Sequence, residues 1–502
     1  MGRGMPAPQG ADPRDVHRSA GVPDRPTPAR PMRPRARPLS FADFELRAQG
    51  VALEATMQAL ADFLDAHEEL VTLVHADLVR GLRRPRTGRD GLSAPQVLRA
   101  FVLQRVKAWD LRELRERIAD GYTLRIFTTF DAQPVPKHDA FNRAFHRLAP
   151  DTVRALNDAV VQAAVTLRLE DGAKLRVDTT VVETDIHFPT DSTLLWDAVR
   201  VLTRLVKGLG EHVPSALSGF ADRTRRARRR MQEISRLTPA QRPRRQTRKY
   251  RDLLGVTAGV VATARAAVAT ARAAPPRDPL VAALVTGLCG EIERFGGLAD
   301  RVIAQTRRRV LEGEPVPVHE KLFSIFEPHT DLLQRGKVQR PVEFGHKVFL
   351  AESRHGLITD YRVLDGNPGD AGHVPPSLTQ HQATFGRVPA LYAADRGFYT
   401  PANVEAVTAA GVGTECVPQR GGKKTEARTA YEKSRAFKQG QRFRAGIEGR
   451  ISVLLRGRGM RRCLLEGRER FEVFVGAAVL ANNLLRIADL MRQRAARRRR
   501  AA

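Results

Sequence analysis

Asp178 is the first residue in the chain whose surroundings suggest chemistry. It lies in the middle of Lys174–Thr184, a segment rich in β-branched residues, which favour a pleated strand with covered faces. A near-continuous apolar run is typical of a strand buried on both faces of a parallel or mixed sheet. Because an unpaired carboxylate is costly to bury there, Asp178 should either have a partner within the protein or lie where a cation can reach it.

Two further acids lie far along the chain. Asp395 ends an apolar strand predicted within Val388–Pro401, and Glu448 lies on a helix predicted over residues 434–460. Arg444 is four residues before Glu448, so the two side chains could form an ion pair on the helix surface instead of serving catalysis, or do both. The buried stripe of this helix is expected at Phe443, Ile447, Ile451 and Leu454.

Three separated carboxylates suit metal-assisted attack on a phosphodiester. Such a reaction needs an activated nucleophile, a stabilised leaving group and neutralised charge, and two divalent ions about 3.5–4 Å apart supply all of them. Hard Mg²⁺ takes oxygen ligands, and the three cysteines of the chain are too far apart to form a competing site. We therefore expect Asp178, Asp395 and Glu448 to hold two Mg²⁺ ions, for which Mn²⁺ could substitute.

The elements that must position these acids follow a definite order. After the Asp178 strand comes a predicted hairpin, formed by residues 342–350, which alternate with period two, and by a second strand at 356–364 that a turn closes. A strand ending in Asp395, a helix, a short strand and the Glu448 helix follow. This is the order of an RNase H-like fold, which carries acids on the first strand, the fourth strand and a late helix. We expect an α/β protein with a mixed sheet flanked by helices.

The remaining segments are predicted to be helical or disordered. The N-terminal arm has nine prolines and few large apolar residues, so it cannot bury enough surface to order itself. The helical module after it has basic faces, and is either a duplex-binding domain or an ordinary amphipathic one. The sequence thus predicts a disordered basic arm at 1–40, a helical DNA-binding domain at 41–150, a catalytic domain at 151–192 and 318–490, a helical basic insertion at 193–317, and a disordered Arg-rich tail at 491–502.

The charge of the chain indicates a polyanionic partner. The 84 Lys and Arg residues against 55 Asp and Glu give a net charge of +29, which favours DNA, RNA or an anionic surface. Residues 221–250 hold twelve basic residues and two acids, whereas a solvated helix face usually mixes both signs. Lys347, on the hairpin, is expected to be an exposed strand lysine, although it could reach phosphate. Phosphate contacts are predicted at Arg225, Arg226, Arg228, Arg229, Arg230, Arg244 and Arg245.

Sequence features also bear on the compartment. No run approaches 18 apolar residues, so no membrane-spanning helix is expected, and the N-terminus lacks the apolar region of a secretory signal. The scattered cysteines fit a reducing cytoplasm.

At these residues the sequence resembles the DDE insertion-sequence transposases, and within them the ISNCY group. RVDTTVVET with HFPTDSTLLWDAVR resembles the first-Asp region, YAADRGFY the second-Asp block, and FRAGIEGRISVLLRGRGMRRC the Glu block. The likeness covers roughly residues 90–490. The wider family often has a Tyr and a Lys around the Arg and Glu, and here those positions are Gln441 and Leu455. The family's helical insertion usually precedes the Glu helix directly, whereas here it follows the Asp178 strand.

The resemblance implies a Mg²⁺-dependent transposase with Asp178, Asp395 and Glu448 as catalytic metal ligands and Arg444 orienting Glu448 from a second shell. Water would attack first at the ends of the element, and the freed 3′-OH would then attack target DNA. The implied partners are double-stranded terminal repeats, target DNA and a second copy of the chain, in a bacterial cytoplasm near the nucleoid. The alternatives are a catalytically inactive or domesticated DNA-binding derivative and, less favoured because aromatic residues are only 6%, an RNA-binding protein.

Overall fold

The computed structural model describes residues 40–501, apart from residue 51 and the segments 84–90 and 335–341. The predicted N-terminal arm therefore lies outside the described residues, except for Ser40, which caps the first helix. The described chain is an α/β protein with one mixed seven-stranded sheet.

Eight helices precede the first strand, and the apolar faces of all but the first of them share a core with the last helix of the chain. Ser93 begins the fourth of them with a capping box. The predicted DNA-binding domain is thus joined through its core to the C-terminus. The helices are α1 (Phe41–Ala48), α2 (Ala55–Ala66), α3 (Glu68–Val79), α4 (Ala94–Lys107), α5 (Leu111–Asp120), α6 (Tyr122–Phe127), α7 (His138–Phe145) and α8 (Pro150–Thr166).

The strand that carries Asp178, β1 (Lys174–Thr184), is followed by a helical insertion with its own core. Thr190 caps the first helix of the insertion, because its hydroxyl accepts the N–H of Thr193. Leu195, Leu202, Leu253 and Ile292 are among the buried residues that hold the four helices together. These helices are α9 (Asp191–His212), α10 (Thr224–Ser235), α11 (Arg242–Ala273) and α12 (Pro279–Thr306).

The chain then returns to the sheet and ends in helices. The predicted hairpin is present as the strands Val342–Ser353 (β3) and Ile358–Val363 (β4), and the strand leading to Asp395 is the short Leu391–Ala393 (β5). The elements are β2 (Asp331–Gln334), β3 (Val342–Ser353), β4 (Ile358–Val363), α13 (Val374–Phe385), β5 (Leu391–Ala393), α14 (Pro401–Ala409), β6 (Thr414–Cys416), α15 (Glu426–Lys433), α16 (Arg435–Ser452), β7 (Arg462–Cys463) and α17 (Arg468–Ala501).

The strand order determines which acids meet. The sheet runs β2-β3-β1-β5-β6, with β4 also paired to β3 and β7 to β1. β1 is antiparallel to β3, with Asp178 opposite Leu350, and parallel to β5, with Arg176 opposite Ala393. Because β5 ends there while β1 continues, the chain leaving β5 passes beside Asp178. Asp395 follows two residues after that end.

The predicted end of the last helix was wrong, and two short strands were not predicted. The tail at 491–502 was expected to be disordered, but α17 continues to Ala501. Ala and Arg are among the best helix formers, and extending a packed helix requires no new nucleation. The strands β2 and β7 were not expected, because two to four residues carry too little alternation to be recognised.

Two helices are long and apolar enough to cross a membrane by length and composition alone. They are Arg244–Ala273 and α17, and core helices of globular proteins have the same length and composition. In the most apolar window of each, 50% and 78% of the residues are buried inside the protein. Their apolar faces belong to the two helical cores described above.

Candidate active site

The three acids predicted from the sequence lie around one side chain, the guanidinium of Arg444. Its Nη2 is 3.3 Å from Asp178 Oδ2 and 3.9 Å from Asp395 Oδ2, and its Nη1 is 2.8 Å from Glu448 Oε1. The sequence predicted that Arg444 would contact and orient Glu448 alone. It instead contacts all three carboxylates, so it neutralises the centre of the cluster.

The two aspartates are fixed by their own backbone. Asp178 is 13% exposed, and its Oδ1 accepts the N–H of Thr179 at 2.8 Å. Asp395 caps the turn after β5 by accepting the N–H of Gly397 at 2.7 Å. Glu448 is 65% exposed and approaches from α16, so it forms the open side of the cluster.

The electrostatics of Asp178 reflect its burial. The pKa of Asp178 is raised to about 6, mainly by burial, with the Thr179 N–H and Arg444 lowering it and the charges of Asp395 and Asp370 raising it. A carboxylate in such surroundings favours any cation that can reach it. Perturbed acids of this kind are common at functional sites.

Helix α16 is anchored under the site by polar contacts as well as by packing. Gln441 donates through Nε2 to the carbonyl of Cys416 at 2.6 Å and of Ala394 at 3.3 Å. These bonds tie the helix to the ends of β5 and β6. In the predicted stripe, Ile447 and Leu454 are buried, whereas Phe443 and Ile451 are only half-buried.

A buried charge network beside the site was not predicted from the sequence. Glu352, which has no exposed surface, accepts from Arg176 Nε at 2.8 Å and from Arg450 Nε at 3.0 Å. Arg450 also donates to Asn482 at 3.1 Å. The network joins β1, β3, α16 and α17. Since Arg176 and Asp178 share one face of β1, it supports the strand directly beside the first acid.

Asp370 is a fourth acid near the cluster and was also missed. It lies in the turn after β4, and its Oδ1 is 2.7 Å from Lys347 Nζ. The expectation of an exposed Lys347 was therefore wrong: its side chain is 14% exposed and also donates to the carbonyl of Pro368. The polar turn gave no sequence signal beyond its content of Gly, Asp and Pro.

The donor set of the cluster fits a hard divalent cation. Asp178, Asp395 and Glu448 offer carboxylate oxygens from three separate elements, which are the ligands Mg²⁺ prefers. Within the described residues, the group whose possible ligand atoms all lie within 4.8 Å of one another is a different one, Glu170, Asp171 and His355, and the three acids around Arg444 are not drawn that close together. There, both carboxylate oxygens of Glu170 already accept hydrogen bonds, from three backbone N–H groups and the Ser353 hydroxyl. These hydrogen bonds explain why the three residues lie close together without a metal ion.

The predicted phosphate-binding arginines divide into two sets. Arg226 and Arg230 both pair with Asp252 of α11, and Arg230 also pairs with Glu233. These two hold α10 against α11, so any phosphate contact predicted for them would compete with ion pairs inside the protein. The exposed set, which has no ion pair among the described residues, comprises Arg225, Arg228, Arg229, Arg244 and Arg245.

The catalytic role expected for Glu448 from the sequence predicts that Ile447→Ala reduces strand cleavage without removing any group from the site. Ile447 is fully buried one residue before Glu448, and truncating a buried Ile costs about 2–5 kcal/mol. If α16 relaxes by about 1 Å, the rate can fall on the order of 10²-fold. We expect strand cleavage to fall far more than DNA affinity, and Ile447→Val to retain most activity. Equal losses of cleavage and DNA binding in Ile447→Ala would instead indicate general unfolding, which a melting curve would reveal.

The molecule thus combines an acid cluster suited to cations with a helical insertion suited to phosphate. The two features lie in consecutive parts of the chain, since the insertion follows directly from the Asp178 strand. Comparison of the chain with models of protein families, with curated proteins and with solved structures gave no match.

Proposed function

We propose that the chain is a DDE-type DNA transposase that cleaves the ends of an insertion sequence and joins them to target DNA. The observation that supports this most strongly is the approach of Asp178, Asp395 and Glu448, from three distant segments, to the single guanidinium of Arg444. Each acid has its own local sequence signal. Three acids from such distant segments have little reason to meet at one side chain by chance.

The proposed RNase H-like fold of the catalytic part is supported by the sheet. A first strand antiparallel to a hairpin on one side and parallel to two later strands on the other is the arrangement expected for that fold. The helical insertion between β1 and β2 would be an addition specific to this chain.

In this proposal each residue has a defined task. Asp178, Asp395 and Glu448 would hold Mg²⁺, which when bound activates the attacking oxygen and stabilises the leaving one. Arg444 balances the carboxylates and keeps Glu448 turned towards the aspartates. Water would attack phosphorus and release a 3′-OH, and that hydroxyl would then attack a target phosphodiester, so that one bond forms as one breaks in each step.

Glu448→Gln should separate catalysis from folding. It removes a charge from a side chain that is 65% exposed, so little packing is lost. Cleavage of a plasmid that carries the DNA flanking the gene, in Mg²⁺ or Mn²⁺, should fall on the order of 10²–10³-fold, with an unchanged melting temperature. Glu405→Gln, an exposed change on α14, is the matched control. Wild-type cleavage by Glu448→Gln would mean that the third acid lies elsewhere.

A catalytically inactive or domesticated DNA-binding derivative is the second candidate. The observation that favours it is again Arg444, because a resident guanidinium that contacts all three acids can also serve as a purely structural ion cluster. In that case the wild-type chain would bind duplex DNA but leave the plasmid intact in both metals.

The transposase proposal also includes a homodimer on DNA, because two ends of the element have to be joined.

A further inference from the structure

Asp370 lies beside the acid cluster although it belongs to a different element from the other three. It begins the turn that follows β4, and its charge contributes to the electrostatic surroundings of Asp178. Its Oδ1 accepts the hydroxyl of Thr179, the residue next to Asp178 on β1, at 3.0 Å. The turn is therefore bonded to the strand that carries the first acid.

The two oxygens of Asp370 have different surroundings. Oδ1 is taken by Thr179 and by the ammonium of Lys347 at 2.7 Å. Oδ2 has no hydrogen bond or ion pair among the described residues. It faces Gly397, because a Cβ placed on that glycine would be 2.7 Å from Asp370 Oδ2 and 3.0 Å from Asp395 Oδ1.

Asp370 Oδ2 and Asp395 Oδ1 border the same small space beside Gly397, and only glycine leaves that space open. Two carboxylates that border one space repel each other unless a cation lies near them. Lys347 contacts Asp370 at Oδ1 and Arg444 contacts Asp395 at Oδ2, so neither of these contacts is made at the two oxygens beside Gly397.

We propose that Asp370 is a fourth carboxylate of the metal site, and that Oδ2 binds the cation held by Asp395, directly or through one water molecule. Thr179 then acts as the positioning residue that fixes Oδ1 and so aims Oδ2 at the site, while Lys347 competes with the metal ion for the charge of the carboxylate. This inference rests on the proposed function, because it assumes that Asp178 and Asp395 hold a divalent ion.

The alternative is that Asp370 is only the structural partner of Lys347, and the two roles predict opposite results for Lys347. If Asp370 is a ligand, Lys347→Met removes a competing cation and should leave metal affinity equal or tighter. If the pair is structural, losing either partner disturbs the turn in the same way. In that case Lys347→Met and Asp370→Asn should weaken metal binding alike.

The experiment measures Mn²⁺ binding to the full chain by titration calorimetry without DNA, so that no activity is needed. Asp370→Asn should weaken binding by about 10–100-fold. Asp365→Asn, in the same turn but 94% exposed and paired with Arg468, should bind as wild type does. A melting curve for each variant identifies any that fails to fold, and the effect of Mn²⁺ on melting provides a second readout.

The outcomes separate this inference from the proposed function. If the wild type binds Mn²⁺ and Asp178→Asn does not, the metal site stands. Unchanged binding by Asp370→Asn would then overturn the fourth-ligand role alone, as would parallel losses in Asp370→Asn and Lys347→Met. If the wild type binds no Mn²⁺, the metal site itself fails, and with it both proposals.

Discussion

Asp178→Asn should abolish strand cleavage while leaving duplex affinity nearly unchanged. The carboxylate is 13% exposed in the centre of the acid cluster, so its charge acts at short range on any bound cation. Metal stabilisation of a phosphodiester transition state is worth several kcal/mol, and the rate should therefore fall by on the order of 10³-fold or more. DNA affinity should persist because it depends on basic residues of other elements.

The substitution should not unfold the protein. Asn keeps the shape of Asp and an oxygen for the Thr179 N–H, and it removes a charge whose burial raises the pKa of Asp178. Asp185→Asn, just beyond the same strand and 56% exposed, is the matched control and should cleave normally. The measurement is cleavage of the plasmid in Mg²⁺, Mn²⁺ and EDTA beside a binding curve. Strong cleavage in EDTA, or by Asp178→Asn, would rule out the metal-dependent mechanism.

The approach of the acids could be predicted because each has a strong local signal. Asp178 interrupts a β-branched strand, Asp395 ends another apolar strand, and Glu448 follows Arg444 at helical spacing. Once the order of elements indicated a sheet, parallel pairing of the two strands was enough to bring the aspartates together. The antiparallel hairpin of β3 and β4 followed from alternation in the same way.

The remaining parts of the site depend on contacts that no local pattern encodes. Asp370 and Lys347 are separated by 23 positions and meet only because β3 and β4 pair. Nothing in the local sequence distinguishes Glu352 from an ordinary strand residue, and its two arginine partners come from β1 and α16. Likewise, helical spacing predicts one partner for Arg444, whereas the packing of α16 against the sheet brings it three.

The basic insertion leads to the second large effect, a steep dependence of DNA affinity on salt. Each phosphate neutralised by Lys or Arg contributes roughly 0.9 to the slope of log affinity against log salt. If the exposed set of arginines and its neighbours contact about six phosphates, affinity should fall about 10³-fold between 50 and 200 mM salt. Without such contacts, the +29 net charge would give only a diffuse attraction.

The structure shows which arginines should be changed. Replacing the exposed set together by Ala should flatten the slope by up to roughly 4, because these side chains have no acidic partner among the described residues. The matched control is Arg226→Ala with Arg230→Ala, which removes two positive charges that already pair with Asp252. This control should lower the melting temperature by loosening α10 from α11, yet change the slope little. The variant of the exposed set should thus change the salt dependence of DNA affinity, whereas the control should change the melting temperature. An unchanged slope in the variant of the exposed set would mean that α10 and the start of α11 form a solvated surface and that DNA binds elsewhere on the chain.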